Sequence, residues 1–113
     1  MSKTTGWIAG ITAVALATLV FLSAAAKADG AAAEATYKTK CAMCHGPDGK
    51  GETAMGKTMK VKDFSSEEVQ KMSDADLTSL ISSGKGKMPP SKTLSAYQVK
   101  DLAAYIRTFG KKK

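Results

Sequence analysis

The chain has 113 residues, enough for one domain, and a formal net charge of +7 from 17 Lys and Arg against 10 Asp and Glu. It contains two Cys and one His, one ligand fewer than the usual four of a structural zinc site, so the composition argues against such a site. Beyond the apolar N-terminal segment we find neither an internal repeat nor a low-complexity linker, which excludes a repeat or multidomain architecture.

The N-terminal segment has the order of a secretory signal. Lys3 gives a short positive start, residues 8–22 are an almost unbroken apolar run, and small residues follow up to Ala28. A positive region, an apolar region and an Ala-x-Ala site in this order are typical of a signal peptide. We therefore predict a signal peptide over residues 1–28, cut after Ala28, and export of the rest to the periplasm.

A retained membrane anchor is the alternative for the same segment. A spanning helix needs about 20 apolar residues, and residues 7–26 just reach that length if Ala and Ser are counted. In either case the domain of residues 29–113 leaves the cytoplasm, either free in the periplasm or anchored to the inner membrane.

The central motif is Cys41-Ala42-Met43-Cys44-His45. Cys-x-x-Cys-His is the pattern for covalent attachment of haem c, in which each thiol forms a thioether with one vinyl group and the imidazole binds the iron. Three other interpretations remain open: a dithiol redox pair, a structural zinc site and a chance cluster in an inert loop. Haem attachment is favoured because it alone uses all three side chains.

The segments around the motif predict one helix followed by a long irregular stretch. Residues 30–40 are rich in alanine and read as a helix that runs into the motif. Three Gly and one Pro within residues 46–51 end that helix in a loop. We expect residues 52–63 to be irregular as well.

Two short helices are predicted next from capping patterns. Ser65-x-x-Glu68 opens a helix that continues to about Met72, and Ser73 opens a second helix with the same kind of pattern. Gly84 is the expected stop of the second helix.

The last helix follows a loop over residues 84–90. Ser95-x-x-Gln98 opens this helix and Gly110 is expected to close it. Its apolar residues recur at helical spacing: Val99, Leu102, Ala103, Ile106 and Phe109. The fold predicted from these signals is all-α, with three to four helices and long loops wrapped around one covalently bound haem.

The second axial position of the iron needs a residue distant from His45 in the chain. Met88 is the best candidate, because it lies in a Gly-rich loop and is followed by Pro89 and Pro90, which stiffen the loop. Alternatively, Met88 has no ligand role and fills a gap in the hydrophobic core. Weaker candidates are Lys, no ligand at all, or one of the other methionines: Met43, Met55, Met59 and Met72.

From about residue 31 to residue 111 the sequence resembles a small class I cytochrome c of the bacterial monohaem type. The resemblance rests on Cys41-x-x-Cys44-His45-Gly46, on the glycines that follow, on the Met88-Pro89 loop and on the last helix. It implies a cytochrome c fold with covalent haem c and with His45 and Met88 as metal ligands.

The resemblance also implies that the first and last helices cross nearly at right angles. The positions that would meet there are Ala33, Tyr37, Leu102 and Tyr105. Ala33 departs from the family, in which the closest crossings favour Gly. The family also has a carbonyl that accepts a hydrogen bond from the ligating imidazole, and we take Pro47 as its candidate here.

The predicted function is that of a single-electron carrier between respiratory complexes. His and Met together fill both axial positions, so the haem cycles between ferrous and ferric states and the protein is not an enzyme. Thioether ligation raises the reduction potential. Two alternatives are a haem enzyme or gas-binding protein with an open axial site, and a membrane-tethered cytochrome subunit of a larger redox complex.

Charge indicates the partners. Lysines are concentrated on or next to the loops expected at the haem edge, and they predict acidic docking faces on a reductase and a terminal oxidase: Lys40, Lys50, Lys57, Lys60, Lys62, Lys85, Lys87 and Lys92. An ordinary solvated surface is the alternative. We expect a monomer, and no nucleic-acid partner, because the protein is exported and has no recognition motif.

Overall fold

The computed structural model describes residues 30–111, which are helical apart from their connecting loops. The six helical segments are α1 over residues 30–40, α2 Ala42–His45, α3 Ala54–Met59, α4 Glu67–Gln70, α5 Asp74–Ser83 and α6 Ala96–Gly110. No strand forms within residues 30–111, where the sheet-like pairing is an isolated bridge between Lys85 and Met88. The all-α prediction is therefore confirmed.

Side-chain caps define where the longer helices begin. The Ser73 hydroxyl accepts from the Asp76 N–H at the start of α5, as predicted. At the start of α6 the predicted capping box is complete, because Ser95 accepts from the Gln98 N–H while the Gln98 side chain accepts from the Ser95 N–H. These caps satisfy N–H groups that have no partner inside the helix.

Three boundaries differ from the prediction. The irregular stretch expected over residues 52–63 contains α3, which is capped by Thr53. The cap of α4 is Ser66 rather than Ser65, because the Ser65 N–H and hydroxyl both donate to the Asp63 carboxylate at 2.7 Å. Gly110 is the last residue of α6 rather than the stop after it, and Lys111 is the C-cap.

The core lies between α1, α5 and α6. Tyr37 and Leu102 are each 1% exposed, and the remaining core residues come mostly from one face of α6. They are Val69, Leu77, Ile81, Val99, Ala103, Ile106 and Phe109. Burial of these apolar side chains is the main favourable contribution to folding.

Aromatic contacts pack α1 against α6. The Tyr37 ring lies 5.2 Å from the Tyr105 ring and 5.4 Å from the Phe109 ring. Ala33, one turn earlier on the same face of α1, is 5% exposed. The expected contact between Tyr37 and Tyr105 is present, although Tyr105 is only half-buried. The near-right-angle crossing of the two helices stays a prediction.

Arg107 ties α6 to the junction between α4 and α5. Its guanidinium donates to the Gln70 carbonyl at 2.8 Å, to the Met72 carbonyl at 2.5 Å and to the Asp74 carboxylate at 2.9 Å. One planar side chain thus fixes the end of α4 and the start of α5 on α6.

The predicted signal peptide and its alternative, the anchor over residues 7–26, lie outside the described residues. Between residues 30 and 111, no helix has the length and apolar character needed to cross a bilayer.

Candidate functional site

The Cys-x-x-Cys-His motif continues the helical path of α1. The Cys41 N–H donates to the Tyr37 carbonyl at 2.9 Å, and the His45 N–H donates to the Cys41 carbonyl at 3.0 Å. Both cysteines are half-buried free thiols, and Cys41 packs against the core. One helical turn therefore presents both thiols and the imidazole at the spacing that haem attachment needs.

His45 is held in an apolar environment. Its ring stacks on the Phe64 ring with centroids 4.5 Å apart and planes inclined by 21°. Burial lowers the pKa of His45, which favours the neutral imidazole, the form that binds metals.

The His45 Nδ1 atom is buried and has no hydrogen-bond partner among residues 30–111. The prediction that Pro47 supplies its acceptor is thus wrong in this structure, where the ring instead stacks on Phe64. A buried polar atom without a partner is unusual, and a metal-binding imidazole ordinarily donates its second ring N–H to an acceptor such as a backbone carbonyl.

Three hydrogen bonds fix the chain that follows the motif. The His45 carbonyl accepts from the Gly51 N–H at 2.8 Å, and the Cys44 carbonyl accepts from the Thr53 hydroxyl at 3.0 Å. The Gly46 carbonyl accepts from the buried Tyr37 hydroxyl at 2.6 Å. Carbonyls at a helix end have no partner within the helix, so these bonds both satisfy α2 and hold the loop against it.

Helix α3 packs against the motif turn, which the sequence did not predict. A Cβ atom placed on Gly56 would overlap the Cys44 carbonyl oxygen and lie 2.5 Å from the Gly51 carbonyl oxygen. Only glycine permits this approach. Glycine is a poor helix former, which is why the sequence pattern concealed α3.

Met88 lies on a separate loop between α5 and α6. Its N–H donates to the Lys85 carbonyl at 3.0 Å and its carbonyl accepts from the Lys85 N–H at 3.1 Å, which closes a tight turn. Gly86 takes φ +57° at the first central position, as a type II′ turn requires. The Met88 side chain is half-buried.

Side-chain contact links this loop to the end of α1. The Lys40 Nζ atom lies 3.5 Å from the Thr93 hydroxyl, which joins the residue before Cys41 to the segment that follows Met88. The motif residues are thus brought together on one turn, and Met88 lies on another segment of the chain.

The other methionines are placed differently. Met43 is 76% exposed and Met55 is 41% exposed. Met72 packs against the core, and Met59 is half-buried on α3.

Comparison with protein-family models matches residues 28–106 to the family described as cytochrome c oxidase, cbb3-type, subunit III. The chain belongs to this family. It therefore carries a class I cytochrome c domain, for which the chemistry is haem-based electron transfer. No significant match was found among curated proteins.

The donor set of this cytochrome c domain fits covalent haem c. Cys41 and Cys44 have the spacing for two thioethers, and burial lowers the pKa of the imidazole beside them, which favours its neutral, metal-binding form. Residues 30–111 contain no group of three or more His, Cys, Asp and Glu side chains that could hold a metal ion by themselves. A metal bound through a porphyrin agrees with both observations.

Proposed function

We propose that this cytochrome c domain is a single-electron carrier whose haem c is attached to Cys41 and Cys44 and ligated by His45 and Met88. The observation that carries the proposal is the motif turn, which presents two free thiols beside a neutral, buried imidazole. When bound, haem c supplies a one-electron ferrous/ferric couple. The chain supplies attachment, axial ligands and an apolar surrounding.

The turn that contains Met88 supports its role as second ligand. Two backbone hydrogen bonds to Lys85 fix the backbone of Met88 on one side, and the Ser91 N–H donates to the Ile81 carbonyl at 3.1 Å on the other. A ligand held by its backbone loses little conformational entropy when it binds a metal. If His45 and Met88 together hold the iron, no position on it would remain open for a substrate, so we propose electron transfer without catalysis.

Charge supports an acidic docking face on the redox partner. All eight lysines named from the sequence are exposed. Lys62 pairs with Glu68 and Lys40 contacts Thr93. The Met88 loop carries Lys85, Lys87 and nearby Lys92 on a segment without Asp or Glu. Like charge concentrated in this way steers association with an acidic surface and makes the rate sensitive to salt.

A matched pair of substitutions tests the ligand set. Met88→Leu and Met72→Leu keep the side-chain volume nearly constant, and both residues are half-buried. We expect Met88→Leu to abolish the ferric thioether-to-iron charge-transfer band, to lower the reduction potential and to let CO bind the ferrous protein, while Met72→Leu leaves all three unchanged. An unaltered band and potential in Met88→Leu would refute Met88 as ligand. Fast CO binding to the wild-type protein would favour an open-site haem protein instead.

The family match supports a second candidate, a cytochrome subunit held in a larger redox complex. The family description names an oxidase subunit, and a retained segment over residues 7–26 would anchor the domain in the inner membrane. Mass spectrometry of the purified protein separates the two candidates. A mature N-terminus near residue 29 in a soluble periplasmic fraction supports the free carrier, whereas an intact N-terminus in the membrane fraction supports the subunit.

A further inference from the structure

Gly84 occupies a backbone conformation that only glycine adopts readily. It is the C-cap of α5, with φ +71° and ψ +175°, and its N–H donates to the Leu80 carbonyl at 2.9 Å. Positive φ combined with ψ near 180° is essentially restricted to glycine, because a Cβ atom would clash with the local backbone. The chain therefore leaves α5 in one defined direction.

The segment that carries Met88 lies directly against Gly84. A Cβ atom on Gly84 would overlap the Met88 carbonyl oxygen, and it would lie 2.8 Å from the Pro90 nitrogen and 2.9 Å from the Pro89 carbonyl carbon. These are backbone atoms, and two belong to proline residues with a fixed φ. The segment cannot yield by turning a side chain, so it would have to move as a unit.

We propose that Gly84 is a positioning residue for the axial methionine: its missing side chain lets the Met88–Pro90 segment sit on the end of α5 at the depth from which Met88 binds the iron. This inference rests on the proposed function. Met88 supplies the sulfur, and Gly84 sets where the backbone behind that sulfur lies. Any side chain at position 84 pushes this backbone away from α5 and strains the bond to the metal.

Gly86 provides a matched control two residues away. It also has a positive φ, +57°, but a Cβ atom there would have no heavy atom within 4 Å. Gly84→Ala and Gly86→Ala therefore both place alanine at positive φ in the same loop, and only Gly84→Ala adds an overlap with the Met88 segment. A third variant, Gly84→Asn, also adds a Cβ atom at this position and therefore gives a second, independent test of the same overlap.

The experiment measures how easily an external ligand displaces the axial methionine in the holoprotein. Ferric wild-type protein and variants with confirmed covalent haem are titrated with imidazole, and loss of the thioether-to-iron charge-transfer band is followed. Relief of a local backbone strain of about 1–3 kcal/mol corresponds to an imidazole affinity raised by about 5- to 140-fold. We expect this gain in Gly84→Ala and Gly84→Asn. Gly86→Ala should give a smaller gain, because it strains the positive φ of the Met88 turn without adding an overlap. Equal gains in Gly84→Ala and Gly86→Ala would overturn the specific role of Gly84.

The same titration in a Met88→Leu background separates the two proposals. If Met88 is the ligand and Gly84 positions it, adding Gly84→Ala to Met88→Leu leaves imidazole affinity unchanged, because no sulfur remains to be displaced. If Gly84→Ala and Gly84→Asn bind imidazole as the wild-type protein does, the role of Gly84 is overturned while Met88 ligation stands. If wild type and Met88→Leu bind imidazole equally well, the ligand set itself is wrong. Should Gly84→Ala fail to mature, Gly84→Asn decides the outcome.

Discussion

The hydrogen bond from Tyr37 to Gly46 is the contact that most directly joins the core to the haem-attachment turn. Tyr37 is 1% exposed, and its hydroxyl donates to the Gly46 carbonyl at 2.6 Å. Tyr37→Phe removes this bond and leaves the ring packing in place. Since Gly46 directly follows His45 in the chain, the substitution tests how firmly the core holds the end of the motif.

The expected loss of stability in Tyr37→Phe depends on which hydrogen bonds the Gly46 carbonyl keeps. A typical hydrogen bond contributes about 0.5–1.5 kcal/mol net, and a buried acceptor left without any partner costs about 1–3 kcal/mol. The Gly46 carbonyl also accepts from the Gly49 N–H at 3.1 Å, so it keeps one partner and the larger penalty does not apply. We therefore expect Tyr37→Phe to lower the free energy of unfolding of the holoprotein by about 1 kcal/mol.

Urea unfolding followed by circular dichroism measures this change. For a slope of about 1–3 kcal/mol per molar urea, a loss of 1 kcal/mol lowers the midpoint by about 0.3–1 M. Tyr105→Phe is the matched control, because Tyr105 is half-buried in the same aromatic cluster, and we expect it to change the free energy by less than about 0.5 kcal/mol. Equal losses in the two variants, or a loss above about 2 kcal/mol in Tyr37→Phe, would refute the reasoning.

Three further predictions concern the packing that surrounds the site. Phe109→Ala should lower the free energy of unfolding in urea by about 3–5 kcal/mol, because this 4% exposed ring contacts three other rings. Tyr105→Ala should lower it clearly less, because Tyr105 is only half-buried. A larger loss in Tyr105→Ala would contradict the assignment of Phe109 to the core. Arg107→Met should lower the free energy of unfolding by about 1–3 kcal/mol, since it leaves two backbone carbonyls without this donor. A loss below about 0.5 kcal/mol would show that the Arg107 hydrogen bonds do not stabilise the packing of α6 on α4 and α5. Burial raises the pKa of Tyr37 above its unfolded value of 10.0, so its contribution to the free energy of unfolding should be fully present below about pH 10 and fall above that pH by up to about 1.4 kcal/mol per pH unit. The free energy of unfolding of Tyr37→Phe should fall less steeply with pH. Equal pH dependence in the two proteins would contradict the raised pKa.

Local signals in the sequence were sufficient for the haem motif and for the starts of α5 and α6. The caps at Ser73 and Ser95 join groups that lie three residues apart in the chain, so the sequence pattern is enough to predict them. The thiols and imidazole of the motif are likewise neighbours in the chain. Such features do not depend on tertiary packing, which is why sequence reasoning reached them.

The start of α4 was predicted one residue too early, at Ser65 instead of Ser66. Two adjacent serines offered a cap, and the pattern with Glu68 favoured Ser65. In the structure Ser65 is engaged by the Asp63 carboxylate, which leaves Ser66 to accept from the Val69 N–H. Competition between neighbouring side chains decided the boundary, and the capping pattern does not record it.

The roles of Gly56 and Gly84 could be recognised only from the structure. Gly56 forms part of α3 because the helix lies against the Cys44 carbonyl, and Gly84 ends α5 with the Met88 segment on top of it. From the sequence, residues 52–63 were expected to be irregular and Gly84 was interpreted only as a helix stop. At both positions the glycine is required because backbone atoms of another segment approach too closely for a Cβ atom.

The number of thioether bonds to haem tests the central claim most directly. A pyridine haemochrome spectrum of the purified, matured protein, together with alkylation of its thiols, reports whether Cys41 and Cys44 hold the cofactor. We expect the haemochrome of haem c with two saturated vinyl groups, one haem per chain and no thiol open to alkylation. A colourless protein, or two cysteines that react freely with the alkylating reagent, would contradict it.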